Sequence, residues 1–261
     1  MKLSTYQTLE LEQTGNTAYI RFNRPESLNA LNTVLIKDLV ECLKEITLHE
    51  TIKIVVLQGK GKAFSSGGDI KEMLQLHGEE AFFSAMDQIN ELISTLYNMP
   101  KLTIAAIEGA AAGLGLSIAL ATDYIISNKN SKIAMNFIGI GLIPDGGGHF
   151  LLKRRIGENK AKQLIWEGKV LSAKEAMERE LIDELTDNIP EALERKLNQW
   201  NAKPLQAMIK TKKIYTELKR QNLLKALELE KQAQWKMRQT KDHQEGIKAF
   251  VEKRKPNFIG E

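Results

Sequence analysis

Apolar positions along the 261-residue chain follow two periods, and they change places along its length. In the first half, short apolar runs alternate with helical spacing; beyond Gly148 the helical spacing is almost unbroken. Residues 9–11 and 18–22 alternate about Gly15-Asn16 and predict an early hairpin. Asn32 predicts the cap of a helix running to about Leu48, with Val34, Leu35, Leu39, Val40, Leu43 and Ile46 on its apolar side. The short apolar runs 52–57 and 102–107 read as buried strands, and 124–127 and 133–135 as further strands. A loop is expected over 59–69, an amphipathic helix over 79–97, a small-residue turn over 109–115 and a short apolar helix over 116–121. Helices are then expected over 148–156, 158–167, 172–180, 190–202, 204–219, 222–238 and 242–253. Strands alternating with helices, followed by helices alone, predict an α/β core with a helical C-terminal region.

Composition narrows the class without naming a chemistry. At 43% hydrophobic and 27% charged residues the chain is an ordinary globular one. The single Cys42 excludes an internal disulfide and, lying among Leu39, Val40 and Leu43, reads as a core thiol. His49, His77, His149 and His243 show no metal-ligand spacing, so no metal site is expected. The apolar stretch 102–121 contains Glu108 and three glycines and fails as a membrane span. Residues 1–15 lack the basic-then-apolar pattern of a signal peptide, so a cytoplasmic protein is expected. The net charge of +4 is unevenly placed: residues 191–261 hold 17 Lys and Arg against 9 Asp and Glu, leaving 20 against 24 in the rest. Such a basic third suits a phosphorylated ligand, a nucleic acid or simply solvated helical faces.

Three glycine-rich turns stand where strands are expected to give way to helices: 62–71, 108–115 and 143–149. Glycine lets the backbone approach a ligand, and a helix start leaves N–H donors free. None has the Walker form GxxxxGK[ST]. Gly109, Gly113 and Gly115, with Tyr215 and Lys219 at YxxxK spacing, resemble the turn and catalytic pair of short-chain dehydrogenases. That turn should follow the first strand, however, and here 108 residues precede it.

The ordered motifs resemble something else far more closely. They are Asn23-Arg24-Pro25 with Leu28-Asn29-Ala30-Leu31-Asn32, Ala63-Phe64-Ser65-Ser66-Gly67-Gly68-Asp69-Ile70, Glu108-Gly109 through Gly115, Gly141-Leu142-Ile143-Pro144-Asp145-Gly146-Gly147, Leu171-Ser172-Ala173 and Glu245-Gly246 through Arg254. Over nearly its whole length the chain resembles the crotonase, or enoyl-CoA hydratase/isomerase, family. The resemblance implies a spiral of ββα units over residues 1–195, and a helical region over 196–261 that serves trimerisation and coenzyme A capping. It implies a coenzyme A thioester as substrate, no prosthetic group, and a homotrimer or dimer of trimers. By the same resemblance the N–H groups of Gly68 and Leu114 grip the thioester oxygen. Coenzyme A lies along Ser27, Leu28, Ala30, Ser66 and Ile70, with Lys62 and Lys71 near its phosphates. Phe250 and Lys253 reach its adenine and phosphate, often from a neighbouring subunit; on the residues alone they read equally as helix packing and a solvated charge.

The sequence departs from the family at the two hydratase glutamates, whose positions hold Ser117 and Phe137. The acid left is Asp145, which reads either as a catalytic acid/base, as in ring-opening isomerases of phenylacetate catabolism, or as a helix N-cap. Asp69 is expected to be structural, and Glu72 to point outward. Phe137, Ile138, Ile140 and Leu142 are expected to surround Asp145 and raise its pKa. One shuttling carboxyl favours a 1,3-shift of a double bond. Hydration in β-oxidation, nucleophilic attack by Asp145, and a non-catalytic protein binding acyl-CoA or RNA stay open.

Overall fold

A computed structural model of the chain describes residues 4–75 and 78–261, so His77 lies outside the described residues. Strands β1 (Leu9–Thr14) and β2 (Thr17–Phe22) form the expected antiparallel hairpin. From β2 a six-stranded sheet grows in parallel through β3 (Ile54–Gly59), β5 (Leu102–Ile107), β7 (Tyr124–Asn128) and β10 (Glu184–Thr186). A second sheet is built from three-residue strands, β4 (Ala63–Ser65), β6 (Ala110–Ala112), β8 (Lys132–Ala134) and β9 (Val170–Ser172). The chain thus steps from large sheet to small sheet and then into a helix three times. β3 and β4 lead to α2 (Ile70–Met73) and α3 (Glu79–Asn98), β5 and β6 to α4 (Leu114–Leu120), and β7 and β8 to α5 (Gly148–Ile156). This is the spiral of ββα units, an α/β fold. Helix α1 (Thr33–Leu48) precedes it, capped by Asn32, whose side chain accepts the Leu35 N–H at 3.0 Å.

The central strands read as unbroken apolar runs because both their faces are covered. Val55, Leu57, Ala105 and Ile107 join a core with α1, α3 and α4. Ile54, Val56, Leu102, Ile104 and Ala106 point the other way, onto Ile189, Leu193 and Leu197 of α8 (Ile189–Asn201). Helices α6 (Glu158–Glu167) and α7 (Ala173–Glu178) close the spiral.

Several expectations need correction. The helices expected over 204–219 and 222–238 are one, α9 (Leu205–Arg238), since Gln221-Asn222 carries no breaker. Strands β4 and β6 lie inside stretches expected as loop and turn, and Val34 faces solvent rather than the core. The envisaged boundary after residue 195 falls inside α8, and α9 is fastened to the spiral. The buried ammonium of Lys212 lies 2.7 Å from Asp123 Oδ2 and 2.8 Å from the Lys101 carbonyl. Finally α10 (Lys241–Val251) packs on the 137–140 turn, His243 Nδ1 meeting the Ile140 carbonyl at 2.8 Å. Among the described residues no helix is long and apolar enough to cross a membrane.

Candidate active site

The three glycine-rich turns converge. A side chain on Gly67, which has φ +96°, would stand 2.8 Å from the Ala112 carbonyl, so the first two turns touch backbone to backbone. Gly146, with φ +58°, passes equally close to the second: a Cβ there would meet Leu114 Cδ1 at 2.5 Å. Between the turns lies a cavity of about 60 Å³ whose lining includes Gly68, Leu114 and Asp145. The three residues expected to carry the chemistry therefore line one cavity. Leu114 is the first residue of α4 and Gly68 sits just before the Asp69 cap of α2. Among the described residues neither N–H has an acceptor within the chain. Both are thus available to an oxygen in the cavity.

Asp145 is only 8% exposed, and its Oδ1 has no hydrogen-bond partner among the described residues. Burial first, and then the charge of Glu230, push its pKa up to about 8. The capping role that its sequence context allowed belongs to another residue. Glu230 of α9, 3% exposed, accepts the Gly147 N–H at 2.7 Å and the His149 N–H at 3.0 Å. The Asp145 backbone is held separately: its carbonyl accepts the Ser117 hydroxyl at 3.0 Å and the Gly148 N–H at 3.1 Å. Ser117 is wholly buried and Phe137 lays its ring against Gly113. Neither position supplies a carboxylate.

Two further acids line the cavity but are engaged. Asp69 caps α2 through the Glu72 N–H at 3.4 Å and pairs with Arg24 at 3.2 Å. Glu72, expected to point outward, turns inward instead and takes both the N–H and the hydroxyl of Thr33, because the short α2 lies against the start of α1. The apolar surroundings of Asp145 also differ from expectation. Ile138 faces Gly168, and Ile140 is covered by Gly246 of α10. The apolar wall comes from α3, through Phe82, Ala85, Met86 and Ile89. Helix α9 adds Gln234, whose amide donates to the Ile143 carbonyl at 2.5 Å, and Arg238, which donates to the Met73 carbonyl at 3.1 Å. Sequence reasoning passed over Glu230, Gln234 and Arg238. The available signal was that Glu230 and Gln234 fall in phase with Leu223 and Leu227 on the buried stripe of α9.

The residues expected along coenzyme A divide into two groups. Ser27, Leu28 and Ala30 form a turn joined to the second strand pair, the Ser66 N–H donating to the Leu28 carbonyl at 3.0 Å. Leu28 and Ser66 are exposed there, and Ile70 is half-buried. Lys62 and Lys71 are exposed on the same stretch, with no ion pair among the described residues. Phe250, 56% exposed, and Lys253 lie at the far end of α10 and do not line the cavity. Tyr215 and Lys219 are exposed on α9 and do not line the cavity of Gly68, Leu114 and Asp145.

Comparison with known proteins agrees with this architecture. The enoyl-CoA hydratase/isomerase family model matches residues 12–261. YhaR of Bacillus subtilis, which carries the family's name, is 51% identical over 245 residues, covering 94% of this chain and 96% of its own. The 1,2-epoxyphenylacetyl-CoA isomerase of Escherichia coli is 32% identical over 246 residues, covering 92% and 94%. An enoyl-CoA hydratase structure from Mycobacterium avium subsp. paratuberculosis superimposes with a TM-score of 0.87 at 28% identity, covering 98% of this chain and all of that one. The chain belongs to the enoyl-CoA hydratase/isomerase family.

Proposed function

We propose that this enzyme moves a carbon–carbon double bond within an acyl-CoA thioester, with Asp145 as the one proton carrier. The observation that supports this reading is the composition of the cavity: two backbone N–H groups without an acceptor among the described residues, one buried carboxyl whose Oδ1 has no partner among them, and no carboxylate at Ser117 or Phe137. In its ionised form Asp145 takes a proton from C2 of a 3-enoyl thioester. The electron pair left behind spreads to the thioester oxygen, where Gly68 and Leu114 donate. The neutral acid then returns the proton at C4, giving the 2-enoyl thioester with no atom gained or lost. Each well-aimed N–H contributes about 3–4 kcal/mol to such an oxyanion. A carboxyl with its pKa up at about 8 suits both halves of the shuttle, since it is neither too weak a base nor too reluctant an acid near neutrality. The relative named as an isomerase of a coenzyme A thioester lends support, without choosing the acyl group.

In the same reading coenzyme A follows Ser27, Leu28, Ala30, Ser66 and Ile70, with its phosphates toward Lys62 and Lys71. The exposed Phe250 and Lys253 then serve a neighbouring subunit of a trimer or dimer of trimers. The decisive experiment is incubation with 2-enoyl- and 3-enoyl-CoA in deuterated water, read by product mass. Interconversion of the two with deuterium incorporation is expected. A 3-hydroxyacyl product would instead establish hydration, and salt-sensitive RNA binding without turnover would place the protein outside catalysis.

A further inference from the structure

We infer that Glu230, carried by α9, is a positioning residue for Asp145: its carboxylate takes the N–H groups at the start of α5 and so leaves the Asp145 carboxyl to the cavity. The inference rests on the proposed role of Asp145 as proton carrier.

The geometry is that of two acids competing for one set of donors. Asp145 lies two residues before Gly147, the N-cap of α5, and Gly147 supplies no side chain of its own to the free N–H groups there. Those groups are already taken. Glu230 Oε2 receives the Gly147 N–H at 2.7 Å, Oε1 receives the His149 N–H at 3.0 Å, and His149 Nδ1 lies 2.8 Å from the same Oε1. The Gly148 N–H goes to the Asp145 carbonyl. Three donors converge on Glu230, whereas Asp145 Oδ1 has none. Released from capping, Asp145 lines the cavity, with the negative charge of Glu230 as its electrostatic neighbour. Paired acids in one buried site share a single charge most readily.

The other ionisable groups around the cavity have separate commitments. On the α2 side Asp69 is paired with Arg24, and Glu72 is bonded to Thr33. On α9 Arg238 donates to Met73 and stacks on Phe82, while Lys231 pairs outward with Asp87 and Glu228. The faces of α3 and α4 that line the cavity present Phe82, Ala85, Met86, Ile89 and Leu114, none of them ionisable. On α5 His149 is the group in contact with Glu230, with its side chain 42% exposed.

The test follows the Asp145 carboxyl directly, by carbon-13 NMR of aspartate-labelled protein, with Asp145→Asn assigning the resonance. In Glu230→Gln the amide oxygen keeps one capping acceptor and the charge is gone. The Asp145 midpoint is expected to fall by at least about one pH unit, a tenfold change in ionisation. The acidic limb of kcat/KM for the isomerisation should move with it, while KM for the thioester stays within about twofold. An unmoved midpoint overturns the inference. Should that variant fail to fold, Glu230→Met and Glu230→Ala remove the same charge with different packing. The Asp145 midpoint then falls as in the glutamine variant, and a constant midpoint again overturns the inference. The titration needs no turnover. A shifted midpoint in a protein inactive toward enoyl-CoA would therefore keep this inference and reject the proposed reaction, while an active enzyme with an unmoved midpoint does the reverse.

Discussion

Replacing Asp145 with asparagine separates its chemistry from its cost to the fold, because the two effects have opposite signs. Asparagine keeps the shape and the backbone contacts to Ser117 and Gly148, but cannot accept the substrate proton. Loss of a positioned acid/base lowers kcat by about 10²–10⁴. Stability moves the other way. The carboxyl titrates near 3.8 when unfolded and at about 8 when folded, so between these values the folded protein holds a proton that the unfolded chain has released. Wild-type stability therefore falls as pH rises through that window, by at most about 1.4 kcal/mol per pH unit, and levels off above it. The asparagine variant escapes this slope. Its stability relative to wild type should climb from pH 5 onward and reach several kcal/mol by about pH 9. Urea denaturation of both proteins at matched pH values measures the difference, and slopes from groups not coupled to Asp145 cancel. A difference that stays flat with pH would refute the burial argument. Undiminished isomerisation by the variant would refute the catalytic one.

The other predictions address the donors, the helical clamp and the cofactor end of the substrate. Proline at position 114 fits the first residue of a helix and removes the N–H together with the buried leucine side chain, so Leu114→Pro should lose about 10²–10³ in kcat beyond any loss in Leu114→Ala, which keeps the N–H; turnover equal to that of Leu114→Ala would remove Leu114 from the oxyanion site. Lys212→Met strands Asp123 beside the sheet and should cost about 3–5 kcal/mol by urea titration, with a smaller cost when Asp123→Asn is added; a loss under about 1 kcal/mol would show the pair to be dispensable. Lys253→Glu should weaken coenzyme A ester binding by about tenfold in calorimetry, the scale of one lost phosphate contact, and an unchanged Kd would leave Lys253 a solvated charge.

What could be read from sequence follows from how much each segment determines its own conformation. Strands β3 and β5 were legible because every residue from Ile54 to Leu57 and from Leu102 to Ile107 is buried, one alternate set on each core. The Asn32 cap was legible because it is satisfied by Leu35, three residues away. Strands β4, β6 and β8 were hidden or blurred, since strands of three residues are too short to display alternation and owe their conformation to neighbours distant in sequence. Gly68, Leu114 and Asp145 were found through motif resemblance, not through periodicity. Their surroundings were misjudged for the same reason: local proximity pointed to Ile138 and Ile140, while the chain brings in α3 and α9.

Helix α9 carries the sharpest version of this lesson. Its buried positions, Ile209, Lys212, Thr216, Leu223, Leu227, Glu230 and Gln234, keep one helical phase from end to end. A purely packing stripe would be apolar throughout, and each buried polar side chain costs free energy unless it is hydrogen-bonded. Thr216 donates within the helix to the Lys213 carbonyl, and the other three exceptions each have a target on the spiral. Lys212 reaches Asp123 and Lys101, Glu230 the start of α5, and Gln234 the carbonyl of Ile143. Two of those targets flank Asp145 by two residues on either side. The basic residues that made this region stand out by composition, among them Lys210, Lys219, Arg220, Lys225 and Lys236, lie on the exposed faces instead. The residues of α9 that reach the segment around Asp145 include two of its buried polar ones, Glu230 and Gln234, and a search for partners of a distant site does better to look for polar residues in phase with an apolar stripe than for an excess of charge.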